Sequence, residues 1–372
     1  MKIECLREYL LRAVSNAERV TGKKLPLPVL SKVLIEATEK DLYIRSTNLD
    51  LGFELKIPCK IYKPGRVSVS GSVIENYLAN LPSQTTVSLE KTNNNLLVSS
   101  TTSTALIACE NAEEFPVLPK FGKEKVGNIT IDSSSFLSGL RSVFYAAATS
   151  DIKPELGSVF VRTEEGEVIF AATDSFRLAE KKVQAKKVVG EGDNQMNILI
   201  PLKNILEINR ILSEVEGQIS ICFSKNQVSL ETSNIYITSR LVEGNFPAYN
   251  HLIPKSFTTQ VVVLREDLFE ATRLVNVFSD RFHQIGLKII PEDQLFELFS
   301  RNQEVGEGTV KVDATIEGEN IDTLLNSRYL IDCLTSIDKD SVTIGLNGRS
   351  KAILIRAVGD RSFNYLVMPL HQ

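Results

Sequence analysis

The sequence predicts an α+β fold in which three similar domains follow one another, each with two helices packed on antiparallel sheet. Three observations carry that expectation. An apolar-striped helix, alternating strands, a second short helix and further strands recur three times, with first helices starting near Leu6, Ser133 and Leu264 and second helices near Ser72, Pro201 and Asn326. The period of roughly 125–130 residues suits one domain per recurrence, which sets domains at 1–125, 126–253 and 254–372. Each stretch also closes on an apolar or aromatic residue followed by proline: Phe115-Pro116, Phe246-Pro247 and Met368-Pro369.

The elements follow from periodicity. In the first stretch Leu6, Leu10, Ala13, Val14, Ala17 and Val20 form a helical stripe that Gly22 and Pro26 end. Strands are expected at Val33 to Ile35, Leu42 to Ile44 and Gly52 to Ile57. Ser72 is a candidate cap for a second helix carrying Val73, Ile74, Tyr77, Leu78 and Leu81, and strands return at Thr86 to Leu89, Leu96 to Ser99 and Ala105 to Cys109. The second stretch begins with Ile129 to Ile131 and a helix capped by Ser133, Ser134 or Ser135, with Phe136, Leu137, Leu140, Val143, Phe144 and Ala147 on its apolar face. A hairpin turns at Glu164-Glu165-Gly166-Glu167, and Pro201 suits the first turn of the helix bearing Ile205, Ile208 and Leu212. The third repeats the order with Leu268, Phe269, Thr272 and Val275, then Tyr329, Leu330, Cys333, Leu334 and Ile337. Gln294 to Phe299 is expected as a buried strand, and a second subunit could close the curve of such a sheet.

Composition narrows the function. The 372 residues carry 42 basic and 46 acidic side chains, a formal charge of -4, so bulk electrostatic attraction to nucleic acid is not indicated, although a local basic lining is compatible. Five scattered cysteines, Cys5, Cys59, Cys109, Cys222 and Cys333, read as reduced core residues of a cytosolic protein. No signal peptide or membrane span is indicated. The histidines, His251, His283 and His371, form no ligand cluster, and neither a GxxxxGK[ST] loop nor a strand-borne GxGxxG is present. Asp132, Asp151, Asp174, Asp267 and Asp280 are candidates for a dispersed metal site, but caps and turns explain them more simply. No catalytic residue, metal ligand or cofactor is therefore nominated. A metal-dependent DNA-processing enzyme and a structural peptide-binding repeat protein stand as alternatives.

One segment stands apart. Ala172 to Leu178, ATDSFRL, ends an apolar strand in a tight polar group and then presents an aromatic residue and an arginine. It reads either as strand, Asx turn and restart, or as the lip of a peptide pocket with Leu178 as floor and Arg177 orienting a partner's polar atoms.

Together with Leu27-Pro28-Val29-Leu30, Glu243 to Tyr249 and Val367 to Leu370, that segment makes the chain resemble, over essentially its whole length, the bacterial DNA polymerase III beta subunits, the replicative sliding clamps. The resemblance implies half of a six-domain ring: a head-to-tail homodimer with helices lining a hole that double-stranded DNA threads. It implies a noncatalytic processivity factor in the cytoplasm, at the nucleoid or replisome. Its expected partners are the replicative DNA polymerase alpha subunit, an ATP-dependent clamp loader, and repair or translesion polymerases and other proteins carrying a clamp-binding motif. By correspondence Lys24 matches the family's DNA-contacting arginine, with Arg7, Arg12, Arg141, Lys203 and Arg210 as further lining candidates. The peptide pocket maps onto Leu156, Thr173, Ser175, Phe176, Arg177, Leu178, Pro247, His251, Leu252, Leu366, Val367, Met368, Pro369 and Leu370. The chain departs from the family at Phe176, where glycine-histidine is frequent, at His251 in place of a common arginine, and at the His371-Gln372 end.

Overall fold

The computed structural model describes residues 1–22, 27–121, 127–150, 152–189 and 196–370. Among these lie six α-helices: α1 (Arg7–Val20), α2 (Gly71–Ala79), α3 (Ser133–Arg141), α4 (Leu202–Leu212), α5 (Arg265–Asn276) and α6 (Ser327–Thr335). Each begins within a residue of its expected start. The stripe Leu10, Ala13, Val14, Ala17 and Val20 is the buried face of α1, as its helical spacing requires.

Caps are where local sequence misleads. Ser72 lies inside α2, where its hydroxyl pairs with that of Ser70 at 3.1 Å, and Pro201 ends a strand instead of opening α4. Leu6 and Leu264, both apolar, precede α1 and α5 and offer no side-chain cap. Distant backbone carbonyls serve instead. Arg7, Ser133 and Arg265 donate their first helical N–H to Thr85, Gly217 and Asp340 at 2.9, 2.8 and 2.8 Å. The second helices of the later stretches do likewise, Leu202 to Gly157 at 2.9 Å and Ser327 to His283 at 2.8 Å. This recurrence of one hydrogen bond is a structural repeat that sequence identity hides, and it meets the need of orphan helix donors for partners. Helix α6 also carries a side-chain cap, Asn326 accepting from Arg328 and Tyr329.

The chain divides into two compact units: Met1–Ser133 with Lys186–Met196 and Leu206–Leu241, and Ser134–Ala185 with Asn197–Ile205 and Val242–Gln372. Every strand pairing among the described residues is antiparallel. The first unit holds a 14-stranded sheet in which Ile235–Arg240 pairs with Leu51–Ile57, in the register Ile235 to Leu55 and Ser239 to Leu51. Helix α1 packs on α2 and on the strands Leu42–Thr47 and Leu51–Ile57. Val29 and Leu30, in the turn Pro28–Ser31, are buried with Leu34, Ala112 and Phe115, so the opening proline segment and the first exit share one apolar cluster. The second unit holds a nine-stranded and a four-stranded sheet, and in the former Arg177–Gln184 pairs with Phe363–Val367. Both units thus join strands far apart in sequence by continuous hydrogen-bonded ladders.

Leu295–Asn302 is a strand, but not a fully buried one: Phe296, Leu298 and Ser300 are buried while Glu297 and Phe299 between them are partly exposed. It is paired on both sides, with Gln284–Ile290 and Gly306–Lys311, so its backbone is spent on the sheet.

Candidate functional site

The segment Ala172 to Leu178 is a hairpin corner between the strands Glu167–Thr173 and Arg177–Gln184, closed by the pair Thr173 and Leu178. Asp174 makes an Asx turn, its Oδ1 accepting from the backbone N–H of Phe176 and of Arg177, each at 2.9 Å. Thr173 Oγ1 donates to the Arg177 carbonyl at 2.6 Å and accepts from Ser175 N–H at 3.1 Å. Ser175 is thereby held at φ +80°, a left-handed conformation that L-residues other than glycine adopt at a cost. Replacing Ser175 with glycine is expected to stabilise the fold by about 0.5–1 kcal/mol, less the extra freedom glycine gives the unfolded chain; a lower denaturant midpoint for the variant would contradict it.

Arg177 is held from several sides within the fold. Its side chain is 11% exposed, and its guanidinium donates to Asp174 Oδ2 at 3.0 Å, Asp332 Oδ2 at 2.7 Å and the Tyr145 carbonyl at 2.5 Å. It also lies over the Tyr329 ring, 4.3 Å from the centroid. Burial alone would lower its pKa, but Tyr365, Asp332 and Asp174 raise it above the usual arginine value. Arg177 therefore rivets the hairpin corner to α6.

The C-terminal segment lies beside this corner. Arg177 and Leu178 stand opposite Val367 and Leu366 in the ladder, and the ladder's next bond is Met368 N–H to the Phe176 carbonyl at 2.8 Å. Leu370 donates to the Leu324 carbonyl at 2.8 Å, which fixes the chain beyond the strand. Pro369 is buried and Leu370 partly so.

Glu243 to Tyr249 brings in the third piece. Phe246 stacks on Phe160, centroids 4.8 Å apart, and meets Tyr249 edge-on at 5.8 Å. Tyr249 packs in a buried cluster with Ala171, Leu178, Leu354 and Leu366, against which Ile253 and Phe257 also rest. Its hydroxyl donates to Glu180 Oε2 at 2.7 Å; Asn364 Nδ2 donates to Glu180 Oε1 at 2.8 Å. Glu180 is 2% exposed, so both acceptors are taken up inside the fold. Burial, then Glu180, pushes the Tyr249 pKa up, keeping the phenol a donor. Tyr249 leads directly into the turn Asn250–Leu252, which carries exposed His251 and Leu252. Exchanging Tyr249 for phenylalanine strands one Glu180 oxygen in the interior, and an equilibrium unfolding measurement should find a loss of about 1–3 kcal/mol.

The nominated pocket residues thus separate by exposure. Thr173, Leu178 and Leu366, which stand opposite one another in the ladders, are buried on one face and Val367 is buried on the other beside Arg177, whereas Phe176 is 62%, Leu252 52% and Met368 40% exposed. Ser175 and Pro247 are exposed as well. Leu156 is buried in the turn before the strand Ser158–Glu164, its carbonyl accepting from Ala148. Exposed phenylalanine, leucine and methionine side chains suit the apolar or aromatic side chains of a peptide, with a methionine that can adapt its shape. Sequence reasoning passed over Glu180, Tyr249 and Asn364, and over Tyr145, Tyr329 and Asp332 around Arg177. Tyr249 had a signal, since it ends the quoted Glu243 to Tyr249 motif. A buried glutamate in a strand gives none.

The basic candidates among the described residues are already engaged. Arg7 donates from Nε to the Leu78 carbonyl and from Nη2 to the Ala79 carbonyl, both at 2.8 Å, which caps the end of α2. Arg12 pairs with Glu214 at 2.9 Å, and Arg210 with Glu207 at 3.0 Å. Arg141 and Lys203 are exposed and also have interaction partners. Lys24 lies outside the described residues. Among the aspartates, Asp132 pairs with Lys186 at 2.6 Å and Asp280 accepts from Phe282 N–H at 2.9 Å in a turn, while Asp151 lies outside the described residues. No group of three or more His, Cys, Asp or Glu suited to a metal ion occurs among the described residues. No helix among them is long and apolar enough to cross a membrane.

Comparison with known proteins agrees along the whole chain. Family models of the DNA polymerase III beta subunit match in order: the N-terminal domain at 1–119, the central domain at 130–248 and the C-terminal domain at 250–371. A beta sliding clamp of Staphylococcus aureus is 26% identical over 379 residues, covering 100% of this chain and 99% of the relative. The crystal structure of the DNA polymerase III beta subunit of Pseudomonas aeruginosa superposes with a TM-score of 0.93 at 25% identity, covering 100% of both chains. That of Thermotoga maritima gives 0.91 at 25% identity, covering 100% of this chain and 99% of that one.

Proposed function

The chain belongs to the DNA polymerase III beta subunit family, and from that membership we propose that two copies close head to tail into a ring of six similar domains around duplex DNA. The protein is a DNA sliding clamp: it confers processivity by tethering and performs no catalysis itself. The supporting observation is the threefold family match, in order, over 1–119, 130–248 and 250–371. The ring holds the replicative polymerase alpha subunit, and in turn repair or translesion polymerases, through one peptide site built on Phe176, Leu252 and Met368. An external ATP-dependent loader opens it, and the complex works in the cytoplasm at the replisome.

Weak electrostatics suit this task. A ring is retained by topology, so phosphate contacts need only be mild and indifferent to sequence, while strong ones would impede sliding. Arginines occupied by Glu214 and Glu207 moderate the charge that α1 and α4 offer. After loading on nicked circular DNA, the protein should remain bound for far longer than on the same DNA linearised. Equal loss from both forms would sink the tethering reading.

Head-to-tail closure is supported by two different unsatisfied surfaces. Gly306–Lys311 is the terminal strand of its sheet, and Thr104–Glu110 is paired along its length on one side but only at Cys109 and Glu110 on the other. Near these in sequence or fold are exposed Leu106 in the latter strand, and Leu274, Val277 and Phe282 at and beyond the end of α5. Joining such edges would pair open backbone and cover apolar surface. Leu274→Glu should therefore weaken dimerisation at least about tenfold in sedimentation, since burial of a leucine is worth roughly 1.5–3 kcal/mol.

A further inference from the structure

Beside the buried cluster around Tyr249, with which it shares Leu354 and Phe257, the second unit holds a cavity of about 270 Å³. It lies against one face of the strands Thr259–Leu264, Ser341–Leu346 and Ile353–Ala357, beside the turn that follows Ala357. Cross-strand register builds it. Thr343 stands opposite Arg356, and Gly345 stands opposite both Leu354 and Gln260, which puts these alternate residues on one face. Gly345 is needed there: a Cβ would come within 2.5 Å of the Phe257 ring, which forms an apolar wall.

The electrostatics of the cavity are unbalanced. Arg356 and Arg361 both line it, and Arg356 spends only Nε in the fold, donating to Asn364 Oδ1 at 2.5 Å. Arg361 is exposed and makes no hydrogen bond or ion pair among the described residues. The nearby carboxylates are committed elsewhere. Asp360 pairs with Lys181 at 3.3 Å and accepts from Ser362 N–H at 2.7 Å, and both Glu180 oxygens are held by Tyr249 and Asn364. Burial first, and then the charge of Arg361, lower the pKa of Arg356, whereas the carboxylate-paired Arg177 and Arg45 are raised. Asp360 also lines the cavity, but its carboxylate is held by Lys181, so the two guanidiniums outnumber it and keep donors to spare.

We propose that this cavity binds the phosphate group of a small phosphate monoester. The two guanidiniums match the two charges of such a dianion and can each donate in parallel pairs to its oxygens. The Thr343 hydroxyl and Gln260 amide add neutral donors, and Phe257 and Leu354 offer apolar contact to a small organic part. A carboxylate would answer only one of the two charges. The volume is just below the range of pockets for drug-sized ligands, roughly 300–1,000 Å³, which fits a sugar phosphate and not a larger cofactor.

The test needs neither DNA nor peptide, so its outcome is independent of the clamp reading. Full-length protein is titrated calorimetrically at constant ionic strength with inorganic phosphate, with glucose 6-phosphate and with acetate. Both phosphates should bind at one site, the ester more tightly, and acetate should not saturate. Binding of inorganic phosphate alone would keep the phosphate site and assign the free ion as its ligand. Arg361→Gln, at an exposed residue without internal bonds, should weaken phosphate binding about tenfold with unchanged thermal unfolding. Arg356→Lys should weaken it as well, because a point charge cannot replace a fork of donors. Acetate binding as tightly as phosphate, or wild-type phosphate affinity in the Arg361 variant, would overturn the proposal.

Discussion

Replacing Arg177 with methionine is expected to lower the stability of the second unit by about 3 kcal/mol, as when one partner of a buried charge pair is removed. Methionine keeps much of the aliphatic volume but leaves Asp174, 15% exposed, without its cation and the Tyr145 carbonyl without its donor. Asp332 is 41% exposed and recovers water, so Asp332→Asn should cost far less, within about 1 kcal/mol. Urea unfolding followed by tyrosine fluorescence separates the two, because Tyr145 and Tyr329 flank the guanidinium. Equal midpoints for the methionine variant and the parent would remove Arg177 from the role of rivet. Because the Asx turn depends on the same residue, peptide affinity should fall in that variant along with stability.

The second large effect lies at the chain end. Deleting Met368 to Gln372 should reduce affinity for a polymerase-derived peptide at least about a hundredfold, the order of an interface hot spot. The dimer should persist. The cut belongs at Met368 because Val367 still pairs with both Arg177 and Ile353, so a deletion that includes it would also damage the sheet. Phe176→Ala provides the milder companion, since its 62% exposed ring carries no part of the core. Unchanged affinity in both variants by fluorescence titration would move the peptide site elsewhere.

Much of the fold was legible because it is local. Alternation marks strands such as Asn95–Ser99, and a 3.6-residue stripe marks α1, whatever lies beyond them. Caps were less legible, since Ser72 looks like a cap and is not one, whereas Leu6 and Leu264 do not and sit at helix entrances served by the carbonyls of Thr85 and Asp340. Short strands such as Lys2–Leu6 and Lys60–Lys63, which pair with each other, were not anticipated at all, because four or five residues carry too little periodicity.

For the site, the sequence supplied the pieces and, through family resemblance, their order. It determined that Phe176 and Met368 stand in motifs at distant places, with Leu252 just beyond a third, and that Asp174 would turn the chain. Tertiary structure decided which side chains are free. Arg177 reads as a reaching cation in ATDSFRL, yet the nearby Asp174, and Asp332 and the Tyr145 carbonyl brought by folding, take three of its five donors. Glu180 reads as a solvent-facing strand residue, yet Tyr249 and Asn364 make its burial tolerable and thereby anchor the turn holding His251 and Leu252. Backbone periodicity is a short-range property, but the partner of a charge is set by contacts across 155 to 184 residues, and only the folded chain fixes those.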